Sequence, residues 1–370
     1  MKSLEEAALA SKKVLVRIDA DVPLTDSNPA EVKDDYRLQK LLPTLFFLMN
    51  HRAKIILCGH LGRPQGKSEP SLSLKPVFSH LSALVNKKIL FATDPFSLQT
   101  ASAIDKLEEG EIIGLENIRF FGGEAANSRT FARKLANPAE LYVNESFGTS
   151  HREDASIVAV TEFLPSYAGL QLEREMEVLS NLTRHPAHPF IAIIGGVKIS
   201  DKLPVINNLL PKIDRVIVGG GVANTFLASQ GVDVRSSKIE QDYINRAGEM
   251  FKHSRGKIIL PVDYVWGEEK ILDVGAKSTA QTIQHIQSAK TILWSGAPGK
   301  IEQPPYDRSS TLIARAIADS PATSIIGGGD TVGFVDGLDL TSKYSFVSTG
   351  GSAMLELLGG KALPGIKALE

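Results

Sequence analysis

Short apolar segments rich in β-branched residues recur along the chain, and each ends at a glycine or a polar residue before a segment of helical periodicity. This alternation predicts β-α-β units and parallel sheets, which means an α/β fold. Strands are expected in the first half at Val14–Asp19, Lys54–His60, Ile89–Ala92, Glu111–Glu116 and Leu141–Glu145. They are expected in the second half at Phe190–Gly195, Arg215–Gly219, Lys257–Val262, Thr291–Ser295, Ser324–Gly327 and Tyr344–Ser348. Each half therefore has enough strands for a parallel sheet of its own.

A helical pattern lies between the two halves. Leu172, Met176, Leu179 and Leu182 recur at helical spacing, and a segment with two prolines follows at 184–189. Since proline cannot continue a helix, we interpret this region as an interdomain helix followed by a stiff break. A surface helix of one larger domain is the alternative. The length of 370 residues favours two domains, because one domain usually holds about 150 residues.

Composition and charge exclude several classes of protein. With 43% hydrophobic and 22% charged residues, the chain has the composition of a folded globular protein. The formal net charge of −1 argues against a chain-wide field that would attract nucleic acid or an anionic membrane. No run of about 18 apolar residues exists, so no membrane span is expected. The single cysteine, Cys58, excludes an internal disulfide, and a charged, alanine-rich start makes the cytoplasm the expected compartment.

Charged residues follow the strands of the first half. In open parallel sheets ligands bind beyond the carboxyl ends of the strands, so residues at these ends are the candidates for a site. Guanidinium groups that converge suit a small, multiply anionic substrate, since they bind phosphate or carboxylate through paired hydrogen bonds. For any one of these residues taken alone, the alternative is a solvated or ion-paired position at the surface with no role in ligand binding. The charged residues at the ends are Arg17, Asp19, Asp21, His60, Arg63, Arg119, His151 and Arg152.

Glycines follow the strands of the second half. Glycine between a strand and a helix lets backbone N–H groups approach phosphate, and the helix N-terminus adds a partial positive charge. The pattern therefore predicts a nucleotide site, although for a single pair a tight turn with positive φ is the simpler explanation. Neither the P-loop nor the dinucleotide fingerprint is present. The runs are Gly195-Gly196, Gly219-Gly220-Gly221, Gly327-Gly328-Gly329 and Gly350-Gly351.

Three charged residues accompany these glycines. Lys198 and Lys202 lie four residues apart after Gly195-Gly196, so on a helix that begins there both ammonium groups would reach one phosphate. A pair of solvent-exposed lysines is the alternative. Asp330 follows a glycine triplet, where its carboxylate could bind Mg²⁺ directly or through water. The alternative role is that of a helix N-cap, which aspartate often fills.

Eight segments carry a resemblance to one family. The N-terminal signatures of phosphoglycerate kinases resemble Arg17–Pro23, His60–Pro64, Leu115–Phe120 and Phe147–Arg152, in the same order. The C-terminal signatures of that family are similar to Gly195–Lys202, Gly327–Thr331, Ser348–Gly351 and Leu363–Gly365. The resemblance covers essentially the whole chain, and the combination of motifs is highly specific.

The resemblance implies two Rossmann-like domains, each with a doubly wound parallel sheet, joined by a helix and closing by a hinge. Residues 1–166 would form the domain that binds phosphoglycerate, with the segment at about 352–370 packing back toward it. Residues 167–188 would be the interdomain helix and linker, and residues 189–351 the domain that binds the nucleotide. The implied activity is reversible phosphoryl transfer between 1,3-bisphosphoglycerate and ADP, giving 3-phosphoglycerate and ATP, in glycolysis and gluconeogenesis.

The matching motifs also imply residues for two sites. Phosphoglycerate would be bound by Asp19, Ala20, Asp21, Arg37, His60, Leu61, Gly62, Arg63, Arg119 and Arg152. Nucleotide would be bound by Lys198, Lys202, Gly219, Gly220, Gly221, Glu302, Gly327, Gly328, Gly329, Asp330 and Thr331. Within that set, Glu302 would contact the ribose and Asp330 would hold Mg²⁺. Transition-state charge would be carried by Arg37, Lys198, Lys202 and backbone amides that include those of Gly329 and Gly351.

The implied chemistry needs no side-chain nucleophile. The substrate carboxylate and the leaving ADP oxygen lie in line about the transferred group, so the protein mainly positions the reactants and neutralises charge. The partners would be small molecules only, and a monomer without nucleic acid or membrane partners is expected.

The chain departs from the family pattern at ligand-binding surfaces. Asp21 stands where asparagine is usual, and Trp294–Glu302 differs from the usual sequence of that segment. A carboxylate beside an anionic substrate weakens binding unless a cation offsets it. Two alternatives therefore stay open, a catalytically silent nucleotide-binding relative and a kinase of another carboxylic acid. Smaller departures occur at Gly59, Ser309, Ser310 and Ser352.

Overall fold

The computed structural model describes residues 1–370, and the chain divides into two compact units. The first unit contains residues 1–176 and 362–370, and the second contains residues 177–361. Each unit is built on a six-stranded parallel sheet with helices between the strands, which confirms the predicted α/β class.

The sheet of the first unit has the spatial order β3-β4-β2-β1-β5-β6, and all neighbouring strands are parallel. The chain moves outward from β1 in both directions, which is the doubly wound arrangement. The predicted strands agree with β1 to β5 within two residues, whereas three residues are too short a pattern to predict β6. These strands are β1 (Lys13–Ile18), β2 (Lys54–Cys58), β3 (Ile89–Ala92), β4 (Ile112–Leu115), β5 (Leu141–Glu145) and β6 (Ser166–Ala168).

The central strands of this sheet are buried on both faces, as their nearly continuous apolar sequences require. One position breaks that rule. Arg17 of β1 is fully buried, in register with Cys58 of β2 and with Asn144 of β5. A guanidinium group without access to water needs hydrogen-bond partners, and those of Arg17 lie at the carboxyl end of the sheet.

Helices follow the strands of the first unit and cover the sheet. In the first helix the residues Leu38, Leu41, Leu45 and Leu48 are buried, and their spacing gives an apolar face toward the strands. The predicted interdomain helix is confirmed as a helix, and the division between the units falls within it. The helices are α1 (Tyr36–Asn50), α2 (Lys75–Leu84), α3 (Leu98–Asp105), α4 (Gly122–Ala125), α5 (Arg129–Ala136) and α6 (Leu170–Arg184).

The second unit has a parallel sheet of order β14-β13-β12-β7-β8-β9 and a separate antiparallel hairpin of β10 and β11. The pattern does not predict the hairpin, and it overestimates the length of β9 and β14, which contain two residues each. The strands are β7 (Phe190–Ile194), β8 (Arg215–Val218), β9 (Ile258–Ile259), β10 (Tyr264–Gly267), β11 (Lys270–Val274), β12 (Thr291–Ser295), β13 (Thr323–Ile326) and β14 (Phe346–Val347).

Seven helices lie within the second unit, and a short C-terminal helix belongs to the first. That last helix is held there by the Gly365 N–H group, which donates to the carbonyl oxygen of Ser150 at 2.9 Å. None of the helices has both the length and the apolar character to cross a membrane. The helices are α7 (Leu203–Leu209), α8 (Gly220–Ser229), α9 (Ile244–His253), α10 (Ala276–Ser288), α11 (Arg308–Ala318), α12 (Gly329–Asp336), α13 (Ser352–Leu358) and α14 (Pro364–Lys367).

Candidate active site

A cluster of positively charged side chains surrounds His60 where β1, β2, β4 and β5 end. The His60 side chain is only 2% exposed. Its pKa lies well below the usual value, first because burial disfavours the charged ring and then because four guanidinium groups surround it. These groups come from different elements and are Arg17, Arg119, Arg152 and Arg37. The fold therefore brings together three arginines that the sequence placed at separate strand ends and a fourth from helix α1.

Arg37 joins this cluster from the first turn of α1. Its Nη1 atom donates to the backbone oxygen of Asp21 at 2.8 Å and lies 3.4 Å from the Oδ1 atom of Asp19. Burial raises the pKa of Asp19 above its usual value, although the positive charges of Arg37 and Arg17 oppose that rise. The Arg37 side chain is about one-third exposed, so its guanidinium group is held at the surface of the cluster.

Asp21 lies in the loop after β1 and is hydrogen-bonded to the loop that follows β2. Its Oδ1 atom accepts the Gly62 N–H at 2.9 Å, and its Oδ2 atom lies 3.8 Å from the Nε2 atom of His60. Gly62 adopts a φ of +63°, and a Cβ atom there would meet the Leu72 side chain at 2.8 Å, so this turn requires glycine. The Asp21 side chain is 44% exposed, which leaves its carboxylate accessible to a ligand.

Two of the predicted arginines differ strongly in burial. Arg119 lies in a 3₁₀ turn after β4, where it forms an ion pair with Asp154 at 2.9 Å and donates to the Gly62 carbonyl oxygen at 3.1 Å. Both members of that ion pair are less than 10% exposed. Arg63, by contrast, is exposed. Burial lowers the pKa of Arg152, and the charges of Arg119 and Arg63 lower it further, which places all three arginines close together.

The remaining predicted residues of this site have apolar side chains or none, and they pack the loops against each other. Ala20 and Leu61 are buried, so their side chains pack beneath the loops that carry the charged residues. A Cβ atom at Gly59 would lie 3.0 Å from the Cβ atom of Ala20, which gives a packing reason for glycine at that position. The loops after β1 and β2 are therefore in close contact.

Three buried residues of this region form one hydrogen-bonded line, and of these only Arg17 was among the predicted strand-end candidates. Arg17 donates from Nε to the Ser156 Oγ atom at 2.9 Å and from Nη2 to the His60 Nδ1 atom at 2.8 Å. Ser156 donates from Oγ and from its N–H to the two carboxylate oxygens of Glu124, at 2.5 and 2.9 Å. The strand-end pattern includes Arg17, but nothing in the sequence indicates Glu124 or Ser156.

In the second unit, three glycine-containing loops pack directly on one another. A Cβ atom at Gly219 would lie 2.5 Å from the Pro298 Cα atom, and one at Gly195 would overlap the Ala297 carbonyl oxygen. The N–H groups of Gly196 and Gly220 donate to the carbonyl oxygens of Ala297 and Pro298, at 3.0 and 2.8 Å. Loop packing therefore accounts for these glycines.

The predicted helical spacing of Lys198 and Lys202 is wrong. The segment after Gly196 is a series of bends and turns, and α7 begins only at Leu203, after both lysines. Lys198 is exposed, whereas Lys202 is buried and donates from Nζ to the Ser295 Oγ atom at 3.0 Å. Burial lowers the pKa of Lys202 from 10.5 to about 8.

Asp330 lies in the first turn of α12 and is exposed. The N-cap of this helix is Gly328, with a φ of +103°, so the alternative that Asp330 caps the helix is wrong. The first N–H groups of a helix have no partner within it, and they face the end where Asp330 lies. Thr331 is buried, and its Oγ1 atom accepts the Gly296 N–H at 3.0 Å, which ties α12 to the loop after β12.

The remaining predicted nucleotide residues have different surroundings. Glu302 is exposed in a turn after β12. Gly327 is buried, and its N–H donates to the Trp294 carbonyl oxygen at 3.1 Å. Gly351 is the N-cap of α13 with a φ of +47°, and no atom lies within 4 Å of the position of a Cβ.

A single carboxylate is a poor metal site by itself, and no group of three or more His, Cys, Asp or Glu side chains could hold a metal ion. Mg²⁺, however, is usually held by one or two carboxylates together with substrate phosphates and water. The exposed Asp330 carboxylate at a helix N-terminus therefore fits a Mg²⁺ ion that arrives with a nucleotide.

Comparison with known proteins identifies the family. The model of the family described as Phosphoglycerate kinase matches residues 4–361. The chain belongs to the phosphoglycerate kinase family. The phosphoglycerate kinase of Clostridium tetani is 41% identical over 394 positions, which cover 100% of this chain and 98% of the relative. That of Desulfosudis oleivorans is 39% identical over 393 positions, which cover 100% of this chain and 99% of the relative.

Solved structures of the same family share the fold. The structure of phosphoglycerate kinase from Coxiella burnetii has a TM-score of 0.86 and 35% identity, and the match covers 99% of this chain and 98% of that one. The structure from Pyrococcus horikoshii OT3 has a TM-score of 0.89 and 28% identity, and the match covers 100% of this chain and 98% of that one. Both comparisons confirm the predicted fold class.

Several departures from the family pattern have local reasons in the structure. Ser295, in the altered segment after β12, accepts the hydrogen bond from Lys202. The Ser309 N–H donates to the Asp273 Oδ2 atom at 3.0 Å, and the Ser309 hydroxyl binds the same carboxylate. The hydrogen bond from the Gly62 N–H accounts for the orientation of Asp21. Nothing in the structure explains Ser352.

Proposed function

We propose that this chain catalyses reversible phosphoryl transfer between the acyl phosphate of 1,3-bisphosphoglycerate and ADP, giving 3-phosphoglycerate and ATP. Membership of the phosphoglycerate kinase family supports this proposal, and the observation that carries it is the arginine cluster around His60. Convergent guanidinium groups in a partly dry site match a small substrate that bears a phosphate and a carboxylate.

For the phosphoglycerate site, we propose two kinds of contact. Arg63 and Arg152 are the more accessible cations and would bind the substrate phosphate, with Arg119 held beneath them by Asp154. Asp19 and Asp21 orient Arg37, whose guanidinium group would face the reacting carboxylate. The predicted substrate residues Ala20, His60, Leu61 and Gly62 would complete the walls of the site.

For the nucleotide site, we propose that the phosphates lie at the N-terminus of α12. Its first N–H groups, from Gly329 to Thr331, have no partner within the helix, and the helix dipole favours an anion there. Asp330 would hold a Mg²⁺ ion, which would supply positive charge against that of the phosphates. Lys198 and Lys202 would add charge, Gly351 a backbone amide, and Glu302 a ribose contact. The turn Gly219–Gly221 would present backbone to the nucleotide.

The chemistry proposed for these residues is positioning and charge neutralisation. An in-line transfer between two oxygen atoms requires the donor and acceptor to be held together, with cations on the oxygens that gain negative charge. Arg37 and the two lysines would supply that charge, and no side chain would form a covalent bond to the phosphoryl group.

The test is phosphoglycerate-dependent consumption of ATP by the purified chain with Mg²⁺, with the acyl phosphate reduced by glyceraldehyde-phosphate dehydrogenase and NADH. Turnover that requires phosphoglycerate is expected. ATP binding without turnover would contradict the proposed activity and favour a silent relative, and turnover only with a different acid would favour another substrate. Omission of Mg²⁺ is expected to abolish turnover.

Three further properties stay predictions that accompany this proposal. The domains are proposed to be residues 1–166 and 189–351, joined by 167–188. Of the C-terminal segment predicted at about 352–370 to return to the first domain, the proposal keeps residues 362–370. We also propose a cytoplasmic monomer without nucleic-acid partners. Light scattering of the purified chain measures its mass in solution and would contradict the monomer if it gave a multiple of 40.0 kDa.

A further inference from the structure

A line of buried hydrogen bonds runs beneath the proposed phosphoglycerate site. It joins Glu124 to Ser156, Ser156 to Arg17, and Arg17 to His60, and all four side chains are buried. Arg17 lies at its centre, inside β1 and without exposed surface. The proposed reaction gives this arginine no role, because it faces away from solvent.

The direction of every hydrogen bond in this line is determined by chemistry. A guanidinium group has donors only and keeps its charge in proteins, so the Ser156 Oγ atom must accept from Arg17. A hydroxyl group has one hydrogen, which is then available to the Glu124 carboxylate. The Ser156 N–H donates to the second carboxylate oxygen, and the Tyr142 hydroxyl donates to the Ser156 carbonyl oxygen at 2.6 Å. These contacts hold Ser156 in place.

The same reasoning determines the protonation of His60. Because the Arg17 Nη2 atom donates, the His60 Nδ1 atom accepts at 2.8 Å and carries no hydrogen. In a neutral ring the hydrogen is then on Nε2, which lies 3.8 Å from the Asp21 Oδ2 atom. To protonate Nδ1, the protein would have to break a bond in the buried line.

We propose that Arg17 is a positioning residue that holds His60 as the neutral Nε2–H tautomer, so that His60 offers the substrate a directed hydrogen bond and no charge. The role in substrate binding rests on the proposed function, whereas the tautomer itself does not. In this view the arginines supply the positive charge of the site, and the imidazole supplies direction.

The arginines around the His60 ring all disfavour its protonated form, and the Asp21 carboxylate acts in the opposite direction. Arg119, Arg152 and Arg37 each disfavour a positive imidazole. The Asp21 carboxylate favours it, but that side chain is 44% exposed, where water weakens the attraction.

The direct test is nitrogen NMR of the histidine rings in the full chain with ¹⁵N-labelled histidine. The chain has 8 histidines, and His60→Gln identifies the signals of His60 by their loss. The expected spectrum of His60 has a bare Nδ1 and a protonated Nε2, unchanged from about pH 5 to about pH 8, where an unperturbed histidine titrates. A ring protonated at Nδ1, or one that titrates near pH 6.5, would overturn the proposal.

Two variants separate the hydrogen bond from electrostatics. Arg17→Met removes the donor to Nδ1, and the double variant Arg17→Met with Glu124→Gln avoids an unpaired buried carboxylate. In either variant His60 is expected to titrate or to populate both tautomers. The control is Arg119→Met with Asp154→Leu, which removes a neighbouring positive charge and leaves no buried carboxylate unpaired. It removes no atom bonded to Nδ1, so the tautomer is expected to stay. Equal effects of the Arg17 and Arg119 changes would overturn the proposal.

A kinetic readout connects the tautomer to the substrate. In an Arg17 variant whose His60 ring titrates by NMR, the imidazole gains positive charge as the pH falls. The KM for phosphoglycerate, divided by that of the parent chain at the same pH, is then expected to fall between about pH 8 and about pH 5.5. A ratio independent of pH would contradict the role in binding. Because the NMR test needs no turnover, failure of the proposed activity would leave the tautomer testable.

Discussion

The two units place different chemistry at the carboxyl ends of similar sheets. In the first unit these ends carry arginines, which are held by buried partners such as Asp154 and Ser156. In the second unit the loops carry glycines, and backbone packs on backbone around Gly219 and Pro298. Substitution of an arginine in the first unit should therefore act by loss of positive charge. Substitution of a glycine in the second unit should act by steric overlap between packed loops.

The largest effect on stability is expected for Arg119→Met. The change leaves the Asp154 carboxylate buried without its ion-pair partner, and breaking such a pair costs about 3–5 kcal/mol. The free energy of unfolding in urea measures the loss. The control is Arg129→Met, which breaks an ion pair with Glu162 of 2.6 Å between exposed side chains and should cost below about 1 kcal/mol.

A second substitution sharpens that comparison. Adding Asp154→Leu to Arg119→Met removes the uncompensated charge, so the double variant is expected to recover most of the lost stability. It should not recover affinity for phosphoglycerate, because the proposed cation is still missing. If affinity returned together with stability, Arg119 would have a structural role only.

The largest effect on turnover is expected for Arg37→Ala. If the guanidinium group neutralises charge that develops on the reacting oxygens, its loss should reduce kcat by about 10² to 10³, the scale of one preorganised donor. Steady-state kinetics in both directions measure the effect. The control Lys33→Ala removes an exposed positive charge close in sequence, and its kcat should be unchanged. Near-normal turnover of Arg37→Ala would remove Arg37 from the mechanism.

In the second unit, Gly219→Ala tests whether close packing of the loops requires glycine at that position. The new Cβ atom would lie 2.5 Å from the Pro298 Cα atom, so the loops must move apart at a cost of about 1–3 kcal/mol, the scale of overpacking. Urea unfolding and ATP affinity should both weaken. Gly333→Ala is the matched control, since no atom lies within 4 Å of its Cβ position inside α12. If Gly219→Ala left both the stability and the ATP affinity unchanged, the loops would be able to move apart without cost.

A smaller effect is expected for Asp21→Asn. The amide oxygen can still accept the Gly62 N–H, but the negative charge beside the proposed anionic substrate disappears. Two unit charges 4 Å apart interact by about 1 kcal/mol in a water-like medium, so the KM for phosphoglycerate should fall roughly fivefold. An unchanged or higher KM would mean that nearby arginines already compensate for the carboxylate.

Much of the fold follows from local pattern, and the partners within the site do not. The apolar segments predict β1 to β5 within two residues because strands of parallel sheets are buried on both faces. The arginines at the strand ends are likewise visible, since topology alone brings those ends to one edge. The pairing of Arg17 with His60 spans 43 residues and that of Ser156 with Glu124 spans 32, so no local spacing indicates either contact.

The second unit shows the opposite failure, in which a local pattern misleads. Spacing of four residues suggests that Lys198 and Lys202 share a helix face, but both precede α7, which begins only at Leu203. Glycine next to such a pattern indicates a loop as readily as a phosphate contact. The glycines of that segment are explained by close packing against Gly296 and Ala297, which lie about one hundred positions away in the sequence.

The smallest effect is expected from the pH dependence that Lys202 gives to nucleotide use. Its pKa is lowered to about 8 by burial, so kcat/KM for ATP, which reports groups of the free protein, should fall as the pH rises above about 8. Lys202→Arg keeps its charge and should flatten that part of the profile.

The effect of Lys202 on stability has the opposite dependence on pH. Because the unfolded lysine binds its proton up to about pH 10.4, the unfolded chain holds more protons between about pH 8 and that value, and stability should rise with pH there. A flat kcat/KM profile in the parent chain would place Lys202 outside the nucleotide site and leave it as a buried partner of Ser295.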